Sequence, residues 1–255
     1  MTIYQDLLNS LPDGGIVDVR IGLHWTAVTV EIGGQRRCGL SSTLAVPHGH
    51  KGKPDVPQAG SLTLMPGKDL ARLVLEQDHP TLASVGMATI NALLKPPSPD
   101  SFSEGNAEHI LAAHGGGRKV VIVGHFPFVP RLKEKVGELV VLDQLPREDD
   151  LPAEEAPKVV PEADVVAITG MTLVNHTLVN LLQLCSPDSL VVLLGPSTPL
   201  SPVLFEYGVD MLCGSLVANI NSVLDAVSQG ANFRQVHRAG VRLVNLVKPG
   251  LKLHF

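Results

Sequence analysis

KVVIVGHFPFVPRL (Lys119–Leu132), DVVAITGMTLVNHTLVNLL (Asp164–Leu182) and LVVLLGPSTPLSPVLF (Leu190–Phe205) share one plan. Each drives a short apolar, β-branched run into a Gly-containing polar turn that opens a helix. Runs this apolar on both faces suit parallel strands covered by helices on each side. Ligands of such sheets sit beyond the carboxyl ends of the strands, where the turns gather. Function is therefore expected at the turns His125-Phe126-Pro127, Thr169-Gly170-Met171-Thr172 and Pro196-Ser197-Thr198.

Outward from these runs the same rhythm continues. Strands are expected over 120–123, 139–142, 165–168, 190–194, 209–212 and 241–246, with helices at 173–184 and 216–228. Spacing of about 20–25 residues fits βαβ units and a Rossmann-like, doubly wound open sheet. The acidic, Pro-rich stretch Pro146–Ala163 interrupts the rhythm and reads as a solvated loop. Before residue 95 the order differs: a short helix over Tyr4–Leu11, then β-rich segments, then two helical patterns. Gly33-Gly34 between two such segments marks a hairpin. Strands followed by helices suggest a small α+β unit. Lys95-Pro96-Pro97-Ser98-Pro99 cannot continue a helix, so the boundary falls there, dividing the chain into 1–96 and 97–255.

Bulk composition narrows the class. The chain has 255 residues, 44% hydrophobic and 18% charged, with a formal net charge of −5. The negative balance argues against a nucleic-acid binder, which shows a basic stripe. Gly, Pro or a charge interrupts every apolar run before the ~18 residues of a membrane span. The acidic start MTIYQDLLNSLPDGG does not read as a signal peptide. Cys38, Cys185 and Cys213 form no CxxC pair, and a reducing cytoplasm is the economical expectation.

Motif by motif, familiar chemistry drops out. No G-x-G-x-x-G follows a strand and no G-x-x-x-x-G-K-[ST] is present, which leaves NAD and ATP without their usual sites. The Gly115-Gly116-Gly117 cluster precedes a strand and is expected to end a helix. No G-x-S-x-G elbow occurs. What remains is polar residues on turns. Thr172 is placed to cap a helix beginning at Leu173, where backbone N–H groups can also hold an anion. Pro196 and Pro199 stiffen a turn that presents Ser197 and Thr198. His125 suits a general acid/base, a metal ligand or a hydrogen-bonded interface residue, with Phe126 and Phe128 beside it to stack on a flat ligand or pack between domains. His176 reads as structural, and Cys213 as a buried small apolar residue at the end of the fifth strand. His48-Gly49-His50 lacks the further ligands a zinc site wants. Ser41-Ser42-Thr43 offers turn duty or a wall of an interdomain pocket, and Asn91 a hydrogen bond across a buried interface.

GLSSTL (Gly39–Leu44), SVGMATINALL (Ser84–Leu94), VVIVGHFPFVPRLKEK (Val120–Lys135), ADVVAITGMTLVNHTL (Ala163–Leu178) and LLGPSTPLSP (Leu193–Pro202) together resemble the putative heavy-metal-chelation family. The resemblance covers nearly the whole chain in order. It implies an enolase-N-terminal-like α+β domain followed by a Rossmann-like domain, an interdomain site and a homodimer. It also implies binding or handling of a transition metal or metal chelate. The family's second domain is related in shape to Rossmann-like methyltransferases. Val123-Gly124-His125-Phe126-Pro127, however, is not a glycine-rich methyltransferase loop, so adenosylmethionine is not expected. Two functions follow as expectations. The first is a small-ligand binder using Thr169, Thr172, Ser197 and Thr198 as hydrogen-bonding groups, His125 as acid/base or metal-binding group, and Ser41, Ser42 and Thr43 to close the pocket. The second is a transferase or lyase acting on a small molecule.

Overall fold

The computed structural model describes residues 2–45 and 54–251; the His48-Gly49-His50 pair lies outside them. The first unit begins with helix α1 (Ile3–Asn9), started by Thr2, whose side chain accepts the Gln5 N–H. Three antiparallel strands follow: β1 (Gly15–Ile21), β2 (Trp25–Ile32) and β3 (Gln35–Ser42). Gly33 and Gly34 turn the β2–β3 hairpin with φ of 57° and 77°, the left-handed pair that a tight hairpin needs. Helices α2 (Gly67–Arg72) and α3 (Pro80–Leu93) come next. Residues of α3 are buried on almost every side because the helix lies between its own sheet and the second unit.

The second unit is an eight-stranded sheet. In chain order its strands are β4 (Phe102–Glu104), β5 (Lys119–Val123), β6 (Glu138–Asp143), β7 (Leu151–Pro152), β8 (Val165–Thr169), β9 (Leu190–Leu194), β10 (Met211–Val217) and β11 (Val241–Val247). Their spatial order is β4-β11-β10-β9-β8-β5-β6-β7. All neighbours pair in parallel except β11, which runs antiparallel to both β10 and β4. Helices α4 (Ala107–Gly115), α5 (Val129–Lys133), α6 (Ala156–Val159), α7 (Met171–Val174), α8 (Leu178–Leu184), α9 (Ile220–Ser228) and α10 (Phe233–Gly240) fill the connections. The chain is thus a small α+β unit followed by a doubly wound, mostly parallel α/β sheet, as its sequence predicts.

Strand order reverses between β5 and β8: β6 and β7 extend one way, β9 and β10 the other. That reversal opens a crevice at the carboxyl ends of β5 and β8. Apolar burial ties the two units together. One core cluster contains Leu7, Val28, Leu70, Ile90 and Leu93 with Val121, Ile168, Leu200 and Leu212. A second joins Ala27, Cys38 and Leu40 of the small sheet to Val223, Leu224 and Val227 of α9.

Several local expectations change. The helix expected over 173–184 is two short helices, α7 and α8, broken at His176, whose φ is 62°. Thr172 does not cap it. The helix begins at Met171, and the buried Thr172 hydroxyl donates instead to the Thr169 carbonyl at 2.7 Å. The fifth strand lies over Met211–Val217, because antiparallel pairing with β11 carries it past Leu212. Cys213 is therefore within that strand rather than at its end, and buried. The acidic stretch is only partly a solvated loop. It contains β7 and α6, and Asp150 turns inward.

Candidate functional site

All three turns meet at the crevice. Gly124, His125, Phe126 and Pro127 follow β5, Thr169 ends β8 with Met171 and Thr172 just beyond it, and Gly195, Pro196 and Ser197 follow β9. Together they line one cavity of about 1010 Å³. Ser42, at the end of β3, supplies a wall from the first unit. Its backbone N–H donates to Ser197 Oγ at 2.9 Å, which staples the small sheet to the turn after β9. Asn91 reinforces the junction from α3, with Nδ2 2.8 Å from the Leu40 carbonyl oxygen and 3.4 Å from that of Pro196.

Four expected site residues are not among those lining the cavity. Ser41 is fully buried beside Ser197, 3.4 Å between hydroxyls. Thr43 bonds Thr26 through its hydroxyl and borders a separate depression of about 550 Å³. Gly170 is packed so closely that an added Cβ would stand 2.6 Å from Thr198 Oγ1, and Thr198 is buried beneath it. Ser41, Gly170 and Thr198 thus pack against the turns rather than line the cavity.

Sequence reasoning missed three further features. The first is Asp150. Its carboxylate Oδ2 lies 3.0 Å from His125 Nδ1, and its side chain is only 3% exposed. A signal did exist: β5 and β6 are parallel neighbours, so the loop leaving β6 must emerge beside the turn leaving β5. The second is an aromatic rim. Trp25 and Phe233 pack with ring centroids 5.6 Å apart, and Phe233 meets His237 at 5.9 Å. Phe126 and Phe128, which the sequence does single out, stack on each other at 5.2 Å with their planes 11° apart. The third is a buried anion with its cations. The Glu108 carboxylate takes two bonds from Arg131, at 2.6 and 3.1 Å, and one from Lys135 at 3.2 Å. The Arg131 guanidinium holds the Glu108 carboxyl below its usual range, and Arg131 reaches the cavity wall.

The cavity is mostly apolar with a few convergent polar groups, the composition of a small-molecule site. Cys213 lines it as a neutral thiol, since burial pushes its pKa up to about 12. Among the described residues no three His, Cys, Asp or Glu side chains come close enough to hold a metal ion.

A doubly wound sheet closed by a small antiparallel unit over its switch point defines the class. Family models described as "Putative heavy-metal chelation" match residues 4–94 and 107–245. The chain belongs to the putative heavy-metal-chelation family. It is similar to a solved protein of unknown function of the DUF364 family from Desulfitobacterium hafniense DCB-2. That match has 28% identity, covers 96% of this chain and 97% of the other, and has a TM-score of 0.78. A second solved DUF364 protein of unknown function, from Pyrococcus horikoshii, has a TM-score of 0.77 at 22% identity, covering 95% and 97% of the two chains. An uncharacterized protein of Methanocaldococcus jannaschii is 24% identical over 221 residues, 83% of this chain and 82% of its own length.

Proposed function

We propose that the crevice binds a small, flat organic molecule able to carry a metal, and that the protein handles the metal as a chelate rather than as a bare ion. The observation that carries this reading is one cavity with stacked aromatic walls and no three-donor cluster among the described residues. A protein site for a bare transition ion uses three or four protein donors. The described residues do not meet that demand. They do fit a ligand that brings its own donor atoms and needs stacking, orientation and a few hydrogen bonds. In that role Thr169, Met171, Thr172 and Ser197 line the floor, Ser42 and Pro196 the junction with the first unit, and Phe126 a flat wall.

Calorimetric titration tests it. Bare Zn²⁺ and Cu²⁺ are expected to bind weakly at several exposed histidines, with no stoichiometric tight site. A single tight site for either bare ion would contradict the proposal. A second reading, an enzyme acting on the bound molecule, is favoured by the His125–Asp150 pair, which resembles an oriented general base. His125→Ala separates the two: an enzyme loses turnover while keeping affinity, and a binder loses affinity.

No described helix is long and apolar enough to cross a membrane, and the three cysteines are free thiols. Both features accord with a cytoplasmic protein. The family resemblance also supports a homodimer: sedimentation equilibrium should give twice the chain mass of 27.1 kDa, and a mass of one chain would contradict it. The boundary between 1–96 and 97–255 is supported by the proline-rich connector that separates the two sheets.

A further inference from the structure

Arg131 enters the cavity wall from α5 with its orientation fixed. Its Nε and Nη2 donate to the two oxygens of Glu108, a carboxylate in the first turn of α4 whose side chain is only 6% exposed. A guanidinium held along that side keeps a second planar edge, made by Nη1 and the other Nη2 proton. Nη1 makes no hydrogen bond to any described residue. Lys135 also binds Glu108, so two cations serve one carboxylate and a positive charge is left over. Gly105, Asn106 and Ala107 bring the start of α4 to the same cavity, and the positive end of a helix adds to that charge. Arg234, in the first turn of α10, lines the cavity too and has no carboxylate partner among the described residues. One buried group beside these donors is an acceptor. Asn245 lines the cavity next to Gly105, is 4% exposed, and donates through Nδ2 to the Gly105 carbonyl at 3.2 Å. Its Oδ1 has no partner among the described residues. An unmet buried acceptor is costly, and a ligand N–H meets it. The acidic lining residues, Asp143 and Glu154, stand at the end of β6 and just after β7, at the opposite end of the sheet from β11 and Asn245.

We propose that the crevice selects a flat N-heteroaromatic carboxylate, with the carboxylate on the free edge of Arg131 and the ring N–H on Asn245 Oδ1. Glu108 is then a positioning residue that turns the guanidinium edge toward the ligand. The inference rests on the reading of the crevice as a site for a flat organic molecule. It adds the groups that tell one such molecule from another, and it needs no metal.

Indole-2-carboxylate carries both groups side by side and is the probe. Indole-2-carboxamide removes the charge, and benzofuran-2-carboxylate replaces the N–H by oxygen. Calorimetric titration is expected to show one equivalent of indole-2-carboxylate bound about tenfold or more tightly than the carboxamide, the scale of a hydrogen bond to a charged group. It should bind about fivefold more tightly than the benzofuran, which leaves Oδ1 unmet. The charge preference should shrink as salt is raised. Arg131→Gln should bind carboxylate and carboxamide alike, and Asn245→Leu should bind indole and benzofuran alike. Arg118→Gln, which removes an exposed arginine at the amino end of β5, should keep both preferences. Each preference is a ratio measured on one protein, so a loss of stability in a variant does not mimic its disappearance. Equal affinity for all three probes would overturn the inference and leave the crevice reading in place. A charge preference that survives in Arg131→Gln, or an N–H preference that survives in Asn245→Leu, would also overturn it. Binding of none of the probes would overturn both the inference and the crevice reading.

Discussion

His176 shows how one residue ties the turns to the rest of the molecule. It sits at φ 62° between α7 and α8, a left-handed conformation uncommon for a residue with a side chain. Its ring packs on Tyr4 of α1 with centroids 4.9 Å apart. Burial pushes its pKa below the ordinary histidine value, with a hydrogen bond to the Val74 backbone opposing the shift. The unfolded chain therefore binds more protons than the folded one as pH falls. The stabilising contribution is complete above about 6.5, the unfolded value, and is lost as pH drops below it. His176→Asn keeps a residue that tolerates this backbone and removes the titration. Urea unfolding of both proteins between pH 7 and 5 should show a steeper loss of stability in the unsubstituted chain. Parallel pH curves would contradict the assignment. Residue chemistry was the least legible part of the sequence. His125 could be flagged from its place after a strand, but its partner Asp150 lies 25 positions away in a stretch whose composition suggests plain solvation. Fold proximity, not local pattern, makes that pair.

At the scale of elements, α3 and β3 decide where the small unit can sit. The helix crosses its sheet at a glycine: an added Cβ on Gly39 would stand 2.2 Å from the Ala88 carbonyl oxygen and 2.3 Å from the Ala92 nitrogen. Both are backbone atoms of α3 and cannot move aside like a side-chain tip. Ser42, three residues further along β3, makes the bond to Ser197 that closes the junction. Gly39→Ala should consequently cost about 3 kcal/mol or more, the upper range for overpacking, and lower the urea midpoint sharply. A change under about 0.5 kcal/mol would show that helix and strand are not locked there. The long strands were readable because β-branched runs with glycine endings leave few alternatives, and β9 matches its expected span. Strands β4 and β7 were not readable, being three and two residues long, with too few positions to show a period. The break between α7 and α8 was hidden as well. Residues 171–184 carry a continuous helical pattern, yet the helix breaks at His176, whose φ is 62° and whose ring lies against Tyr4.

For the whole molecule, two sheets with shared cores create a crevice that neither contains alone. Its location was legible because parallel strands must deliver their turns to one edge. Its first-unit wall was suggested by a family resemblance, since nothing in the local pattern of Ser41-Ser42-Thr43 points to Ser197. The aromatic rim stayed hidden because Trp25 and Phe233 are 208 positions apart and meet only when α10 folds back over the small sheet. That rim supplies a direct reporter. The chain contains one tryptophan, and Trp25 lines the cavity. Fluorescence titration with copper-free terpyridine, a flat aromatic chelator, addresses the central claim with no other tryptophan to confuse the signal. The account predicts quenching that saturates at one equivalent. Linear, unsaturating quenching equal to that of free N-acetyltryptophanamide would contradict it.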